Sequence, residues 1–381
     1  MNMSVKFPEN SKSKHLSAEQ IAELGQKIDA IRRDILDSVG EKDAQYIYKI
    51  RDFVRYSEIA SRGMLMFGGW IPPVWLLGTG LLGLSKIVEN MELGHNVMHG
   101  QFDWLNDPNL NGANYDWDTM ATGDDWKYTH NYIHHTYTNI VGKDHDVGYG
   151  LIRVSESQKW EPRFLFNIPL AIQLMVFFEW YVGLQNLHLE DVIAYKTKTW
   201  KEVWIESAKF RKKAVRQVAK DYVFFPLIAG PNAIPVFAGN AVANVIRSLW
   251  ASAVIFNGHF TEDAETFEPD NTETETRAEW YLRQIRGSSN FTGTEWLHIL
   301  SGNLSHQIEH HLFPDMPANR YAEAAPKIRA LCAEYGINYN EASFMKQFGS
   351  VWVRLAKCSL PNSWTASVAQ SKQKLKTLFS F

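Results

Sequence analysis

Cysteine is almost missing from this 381-residue chain: there are two, Cys332 and Cys358, far apart in sequence. They form no CxxC pair, which excludes a disulfide framework and a zinc ribbon. There is no charge excess of either sign. A net charge of −3 gives no case for nucleic-acid binding. Internal repeats and low-complexity tracts are absent as well. The opening segment is polar and carries Ser and Lys where a cleavable signal peptide would be apolar, so none is expected. Mean hydropathy is −0.28, which taken alone suggests a soluble protein. That average conceals apolar blocks set between long polar stretches. The length allows one large domain or two small ones.

What the chain has is clustered histidine. His306-Gln-Ile-Glu-His310-His311 places His at i, i+4 and i+5. On a helix, i and i+4 share a face, while i+5 sits about a hundred degrees round. The pattern recurs as His130-Asn-Tyr-Ile-His134-His135, and a shorter form is His95-Asn-Val-Met-His99. These clusters hold eight of the thirteen His. Eight exceeds what one four- to six-coordinate ion can use, so the count favours a dinuclear site.

HxxxH, HxxxHH and HxxxHH in that order, the last running into Leu312-Phe313-Pro314, resemble the three histidine boxes of integral-membrane fatty-acid desaturases. The resemblance covers roughly residues 60 to 335. Ser301 to Tyr321 is especially similar to bacterial acyl-CoA desaturases of the stearoyl-CoA type. This implies an all-α fold with about four transmembrane helices in two hairpins and a cytosolic helical cap carrying a di-iron site. It divides the chain into a cytosolic N-terminal segment (1–52) with an amphipathic helix, a desaturase domain (53–336) and a cytosolic C-terminal tail (337–381). The implied location is the inner (cytoplasmic) membrane of a bacterium, with the active site facing the cytosol.

In chain order, residues 1 to 16 read as a loose tail. Ser17-Ala-Glu-Gln20 is a capping box, followed by Ile21, Leu24, Ile28, Ile31 and Ile35 at helical spacing. From Ile59 to Met98 the chain is largely apolar and is broken at Pro72-Pro73. Forty helical residues reach ~60 Å, about two crossings of a ~30 Å hydrocarbon layer. Gly78-Thr-Gly80-Leu-Leu-Gly83 matches GxGxxG but follows no strand, so its small residues predict close helix packing. Phe164 to Leu187 is apolar but is interrupted by Gln173, Glu179 and Gln185. The following stretch, His188 to Lys220, carries nine Lys/Arg against four Asp/Glu, a cytosolic signature. The intervening helix is therefore read as interfacial or packed under the metal site. Tyr222–Pro235 and Val236–Phe256 form a second pair of spans joined near Pro231. Arg247 lies mid-helix, where an ion needs a partner, and Glu89 or Glu92 are the candidates. The sequence beyond Ile337 carries no clear pattern.

The candidate metal ligands are His95, His99, His130, His134, His135, His306, His310 and His311. The resemblance adds His259, which matches a ligand near the end of the fourth helix in the acyl-CoA branch. In the third box either His306 or Gln307 could take the first place. His306 is preferred, because imidazole binds iron better than an amide and repeats the spacing of the second box. Asp144 and Asp146 could orient ligand imidazoles, as acceptors for their N–H groups, or could form a solvated turn. Asn257 could hold a metal-bound water and Glu309 could stand behind a ligand. His145 and His298 are read as structural.

Removing hydrogen from an unactivated methylene needs an oxidant that no side chain supplies. The resemblance implies two Fe ions with O2 as co-substrate. No His-Pro-Gly-Gly haem segment is present, so electrons would come from an external donor, a ferredoxin-type oxidoreductase or a cytochrome b5-like protein. The lysine-rich 196–220 surface could dock that donor or contact anionic lipid. The expected activity is insertion of a cis double bond into a long acyl chain carried by CoA or a lipid. The alternatives are a di-iron hydroxylase or alkane monooxygenase, a membrane zinc lipid-amide hydrolase, and a lipid carrier without catalysis.

Overall fold

The computed structural model describes residues 16–193, 196–269 and 274–364. Residues 1–15 of the loose tail expected over 1–16, and the last 17 residues of the C-terminal segment (365–381), lie outside the described residues. Among the described residues the fold is helical apart from an isolated bridge, Ile140 to Phe267, and one short pair of parallel strands, β1 (Asn290–Thr292) and β2 (Glu341–Ser343).

Helix α1 (Ala18–Leu36) begins at the expected capping box: Gln20 N donates to Ser17 Oγ, and Ser17 N donates back to Gln20 Oε1. Its buried stripe of Ile21, Leu24, Ile28 and Ile35 packs into a cluster with Tyr281, Ile285, Tyr321 and Ile328. The N-terminal helix is thereby fastened to the body that carries the third histidine cluster.

Two helical hairpins pack against one another. In the first, α2 (Glu41–Gly68) turns over Gly69–Ile71 into α3 (Pro72–Val88), which starts on Pro72-Pro73. Proline suits that place, because the first turn of a helix has no N–H partners to lose. The first helix of this hairpin starts well before the apolar block does. Gly78 and Gly83 allow close packing. A Cβ at Gly78 would sit 3.1 Å from Met64 Cβ, and one at Gly83 would sit 3.2 Å from Ile246 Cγ2.

The second hairpin climbs through α4 (Ala208–Val218), a π-helical turn at Ala219–Phe224 and a short turn at Phe225–Ile228. It breaks at Gly230–Asn232 and returns as α5 (Ala233–His259). The two tips are tied together: Trp70 Nε1 donates to Pro231 O at 2.8 Å, and Trp75 Nε1 donates to Pro235 O at 2.9 Å.

Among the described residues no single helix is long and apolar enough to cross a membrane. One bent pair, Pro162–Val176 with Phe178–Gln185, passes the test only when its two parts are taken together across a 91° bend. The expected four spans are therefore not evident from helix length and composition. The hairpins do expose a belt of large apolar side chains, including Ile59, Phe67, Leu76, Leu77, Leu227 and Ile234. Their inward faces carry ions. Lys86 Nζ lies 2.9 Å from Asp118 and 3.0 Å from Asp221, and Arg62 reaches Asp221 at 3.4 Å. α3 has 17 residues before a π-helical turn at Glu89, and α5 carries Asn240, Asn244 and Arg247 on its buried face, which lowers its average hydropathy.

Arg247 does find a carboxylate, but not one of those expected. It pairs with Glu179 of the bent segment and donates to Asp118 O at 2.6 Å. Glu89 instead accepts from Asp118 N, and Glu92 accepts from Tyr46 and Asn303. The bend between Val176 and Phe178 brings Glu179 under α5, which the linear sequence does not disclose. Beyond Ile337, β2 pairs with β1, and α6 (Phe344–Cys358) packs Val351 and Leu355 against Ala251 and Val254 of α5.

Arg247 and Glu179 are both buried, so Arg247→Leu would strand a carboxylate. That should cost roughly 3–5 kcal/mol and lower the melting midpoint of the solubilised protein. Arg247→Leu combined with Glu179→Leu should recover most of the loss. Equal melting of the single and double variants would remove the pair from the account.

Candidate metal centre

Each histidine cluster sits where a helix is irregular. The first box follows a π-helical turn, Glu89–Gly94, at the end of α3. The second lies on a π-helix, Lys127–His134, entered from a turn capped by Thr122. A π-turn bonds i to i+5 and so widens the spacing, and such turns are frequent at functional sites. The widening lets both His134 and His135 stay beside His130, with ring centroids 5.1 and 5.0 Å from it.

The third box departs from the expected register. Gly302 (φ +71°) and Asn303 (φ +55°) are both left-handed. Gly302 presses so close to the first-box helix that a Cβ there would meet Met91 O at 2.3 Å. Only glycine fits that contact. The chain then makes a tight turn, Leu304–His306, and the helix proper runs from Gln307 to Leu312. His306 is its cap, with φ −103° and ψ 54°. The i, i+4 pair on one face is thus Gln307 and His311, not His306 and His310.

His306 accordingly stays out of the centre and stacks on His298, with centroids 5.0 Å apart. The preference for His306 in the first place of the box is corrected by this geometry. Gln307 occupies the place, its Nε2 2.9 Å from His259 Nε2.

Eight imidazoles converge. Ligand nitrogens of His95, His99, His130 and His310 all lie within 4.8 Å of one another, as do those of His134, His259 and His311. His135 joins His310 and His311 in a third such set and so stands between the two groups. The closest approaches are His95 Nε2 to His130 Nε2 at 3.3 Å and His259 Nε2 to His311 Nε2 at 3.1 Å.

Four rings are held by their outer nitrogen, the arrangement that orients metal-binding imidazoles. His95 Nδ1 faces Asn96 Oδ1 at 3.1 Å, and His134 Nδ1 faces Asp144 Oδ2 at 2.9 Å. His310 Nδ1 faces the Tyr321 hydroxyl at 3.2 Å, and His311 Nδ1 faces Gln284 Oε1 at 3.1 Å. With Nδ1–H donated outward, each Nε2 lone pair points inward. Nε2 of His99, His135 and His310 is buried with no hydrogen-bond partner. Orphaned nitrogens cost about 1–3 kcal/mol each, and a metal would relieve them. The residues present fit two imidazole-bound ions.

The electrostatics agree. Burial pushes the His130, His135, His310 and His311 imidazoles well below their ordinary range, and neighbouring rings push them further. They are neutral, the form that binds metal. Burial acts the same way on His134, but Asp144 and Asp146 overcome it and carry this ring up to about 9. A metal at its Nε2 would displace one proton and leave Nδ1–H on Asp144.

The remaining candidates divide. Asp144 is no solvated turn residue: it is buried, and it also accepts from the backbone N–H of Asn139 and Asp146. Asp146 lies 3.7 Å from His130 Nδ1 and 3.6 Å from His134 Nδ1, and accepts from Gln185 Nε2. Asn257 donates to Phe344 O at 3.3 Å, and its Oδ1 is buried without a partner. Glu309 was expected behind a ligand, but it accepts from Asn290 and Tyr339 instead, because its helix turns that side toward β1. His145 packs on His188, and His298 Nδ1 lies 2.7 Å from Ser305 Oγ. Sequence reasoning missed Asn96, Gln284 and Tyr321. Asn96 adjoins His95, whereas the other two carry no local signal.

Beside the histidines lies a narrow cavity of about 50 Å³, walled by Trp117, Trp126, Tyr149, Phe178, Ala251 and Ile255. The 113–126 segment also lines an open cleft of about 320 Å³, where Lys209, Lys212, Lys213 and Arg216 face residues 113–116 and 122–124. Asp116 and Asp124 there are already engaged by Lys213 and Lys209.

Comparison with known proteins agrees with this geometry. The model of the fatty acid desaturase family matches residues 69–343. The NADPH-dependent stearoyl-CoA 9-desaturase of Mycobacterium tuberculosis is 44% identical over 355 residues, covering 92% of this chain and 82% of the relative. The sn-1 linoleoyl-lipid 6-desaturase of Synechocystis is 28% identical over 285 residues, covering 72% of this chain and 77% of the relative. Bovine fatty acid desaturase 3 is 26% identical over 313 residues, covering 75% and 63%. A family model that runs from α3 through the second hairpin and covers all three boxes, with a relative 44% identical over most of the chain, leaves one assignment: the chain belongs to the fatty acid desaturase family.

Proposed function

We propose that this desaturase places a cis double bond at carbon 9 of a long-chain acyl-CoA, at a di-iron centre held in a membrane by the two hairpins. The observation that carries the reading is the pair of imidazole groups beside a narrow apolar cavity, with a basic cleft lined by the same 113–126 segment. Similarity to a stearoyl-CoA 9-desaturase favours CoA as the carrier and carbon 9 as the position.

His95, His99, His130 and His310 would hold one iron and His134, His259 and His311 the other, with His135 between them. Iron and O2 would supply the oxidising power that no side chain has. Overall, two hydrogens leave the acyl chain, and O2 leaves as two waters after gaining two electrons and two protons. The chain's own residues orient and exclude. Asn96, Asp144, Tyr321 and Gln284 fix the rings through Nδ1. Trp126, stacked 4.4 Å from His130, closes the cavity wall against water. The lysines and Arg216 of the cleft match the phosphates of CoA. Two electrons come from a separate reductase, for which the relative's NADPH dependence is the support.

The exposed apolar belt supports embedding of both hairpins, with 164–187 bent back on the side it entered from. The excess of Lys/Arg over 188–220 supports a cytosolic face for the boxes.

Fatty-acid profiling by mass spectrometry, in a desaturase-null host supplied with a compatible reductase, tests the reaction. The expected product is the 9-monounsaturated chain; a hydroxylated chain would replace this reading with the hydroxylase. Two variants probe the centre. His259→Ala should abolish desaturation and lower bound iron, whereas His306→Ala should keep its iron. Iron loss in His306→Ala at equal protein abundance would contradict the helix register. For the cleft, Lys212→Gln with Arg216→Gln should raise KM for acyl-CoA roughly ten-fold, the scale of one lost charge-assisted contact. An unchanged KM would place the carrier elsewhere.

A further inference from the structure

The segment leading into the second hairpin is amphipathic in an unusual way. A short helix, Trp200–Glu206, is capped by Thr199 and joins α4 through Ser207. Val203, Ser207, Phe210, Ala214 and Gln217 recur at helical spacing and are buried, so they form the inward stripe. The exposed surface is not wholly polar: a row of large apolar side chains lies beside its lysines. Trp200, Trp204, Ile205 and Val215 are 63%, 65%, 62% and 68% exposed, too much apolar area for a water-facing surface.

Cations accompany that face. Between residues 196 and 216 there are eight Lys/Arg and two Glu; four of the cations line the basic cleft, and Lys196, Lys198, Lys201 and Arg211 lie outside it. Arg211 is fixed on the apolar stripe, with its guanidinium 3.6 Å from the centroid of the Trp204 ring and bonds to Trp204 O and Ser207 Oγ. The apolar row also continues upward, through Val215 to Val223, Leu227 and Ile228, into the belt exposed by the hairpin.

We propose that the Trp200/Trp204/Ile205 face, with Arg211 and the neighbouring lysines, is an anchor for the headgroup layer of an anionic bilayer. Tryptophan rings settle at the boundary between headgroup and hydrocarbon. Basic side chains close to that boundary are attracted by acidic lipids. An amphipathic helix lying in this plane binds through both terms together. The charge sign and the continuity with the hairpin's apolar belt select a lipid surface over a soluble acidic protein. The anchor rests on the membrane reading above. It adds a consequence: α4 carries the lysines and Arg216 of the basic cleft on its next face, so the lipid surface would hold one wall of that cleft.

The test uses the full chain in nanodiscs made with or without phosphatidylglycerol. Cys332 and Cys358 are buried, so a nitroxide will label an introduced Ala208→Cys, which lies on the exposed stripe. Collision rates with oxygen and with a water-soluble nickel chelate then report depth. The ratio of oxygen to nickel collisions at 208 should rise several-fold when phosphatidylglycerol is present. It should fall back in Trp200→Ser/Trp204→Ser. A label at Leu76→Cys, on the first hairpin, tests the membrane reading separately. If Leu76→Cys is deep and 208 stays water-accessible in acidic discs, the anchor is wrong and the spans stand. If Leu76→Cys is itself in water, the membrane reading fails. Shielding at 208 that appears only when a soluble electron donor is added would replace the lipid with a protein partner.

Discussion

Crowding of eight largely buried imidazoles into one centre is the constraint on which the rest of the structure depends. Of two ring nitrogens 3.1 or 3.3 Å apart, no more than one can carry a proton. A ring that keeps its Nε2 lone pair inward carries its proton on Nδ1, which must meet an acceptor or be left unsatisfied. Much of the surrounding architecture supplies those acceptors. The 139–146 turn holds Asp144 by its own backbone, and Arg277–Gly287 presents Gln284. That same helix uses Arg283 to grip Thr136 O and Thr138 O at the end of the second box.

The supports are distant in sequence, which explains why so many elements close on one centre. Tyr321 lies beyond the third box, and the Gln101 side chain donates to its hydroxyl from beyond the first. Asp43, near the start of the first hairpin, binds Arg320 beside Tyr321. The N-terminal helix packs under the same region. Loss of packing at these remote places would be felt as misaimed imidazoles.

Much of this was legible in the sequence, and the parts that were not have physical reasons. The capping box at Ser17, the turn at Pro72-Pro73 and the small residues Gly78 and Gly83 depend on neighbours in the chain and were read directly. The histidine clusters were read as well, because three copies of one spacing are hard to mistake. His306 was misread because spacing assumes a continuous helix, and the left-handed pair Gly302–Asn303 delays the helix by one residue. Gln284 and the Glu179 partner of Arg247 were invisible, since only a bend or a long-range contact brings them in. The spans were blurred for another reason: α3 ends after 17 residues at a π-turn, and buried polar residues lower the average hydropathy of α2 and α5.

The central claim is that the third box begins at Gln307, so that two metal ions are shared among eight imidazoles that exclude His306. Iron anomalous diffraction from crystals of the iron-loaded protein tests it most directly. Two iron peaks are predicted, one at bonding distance from His95, His99, His130 and His310, the other from His134, His259 and His311. A single peak, or an iron bonded to His306, would contradict it.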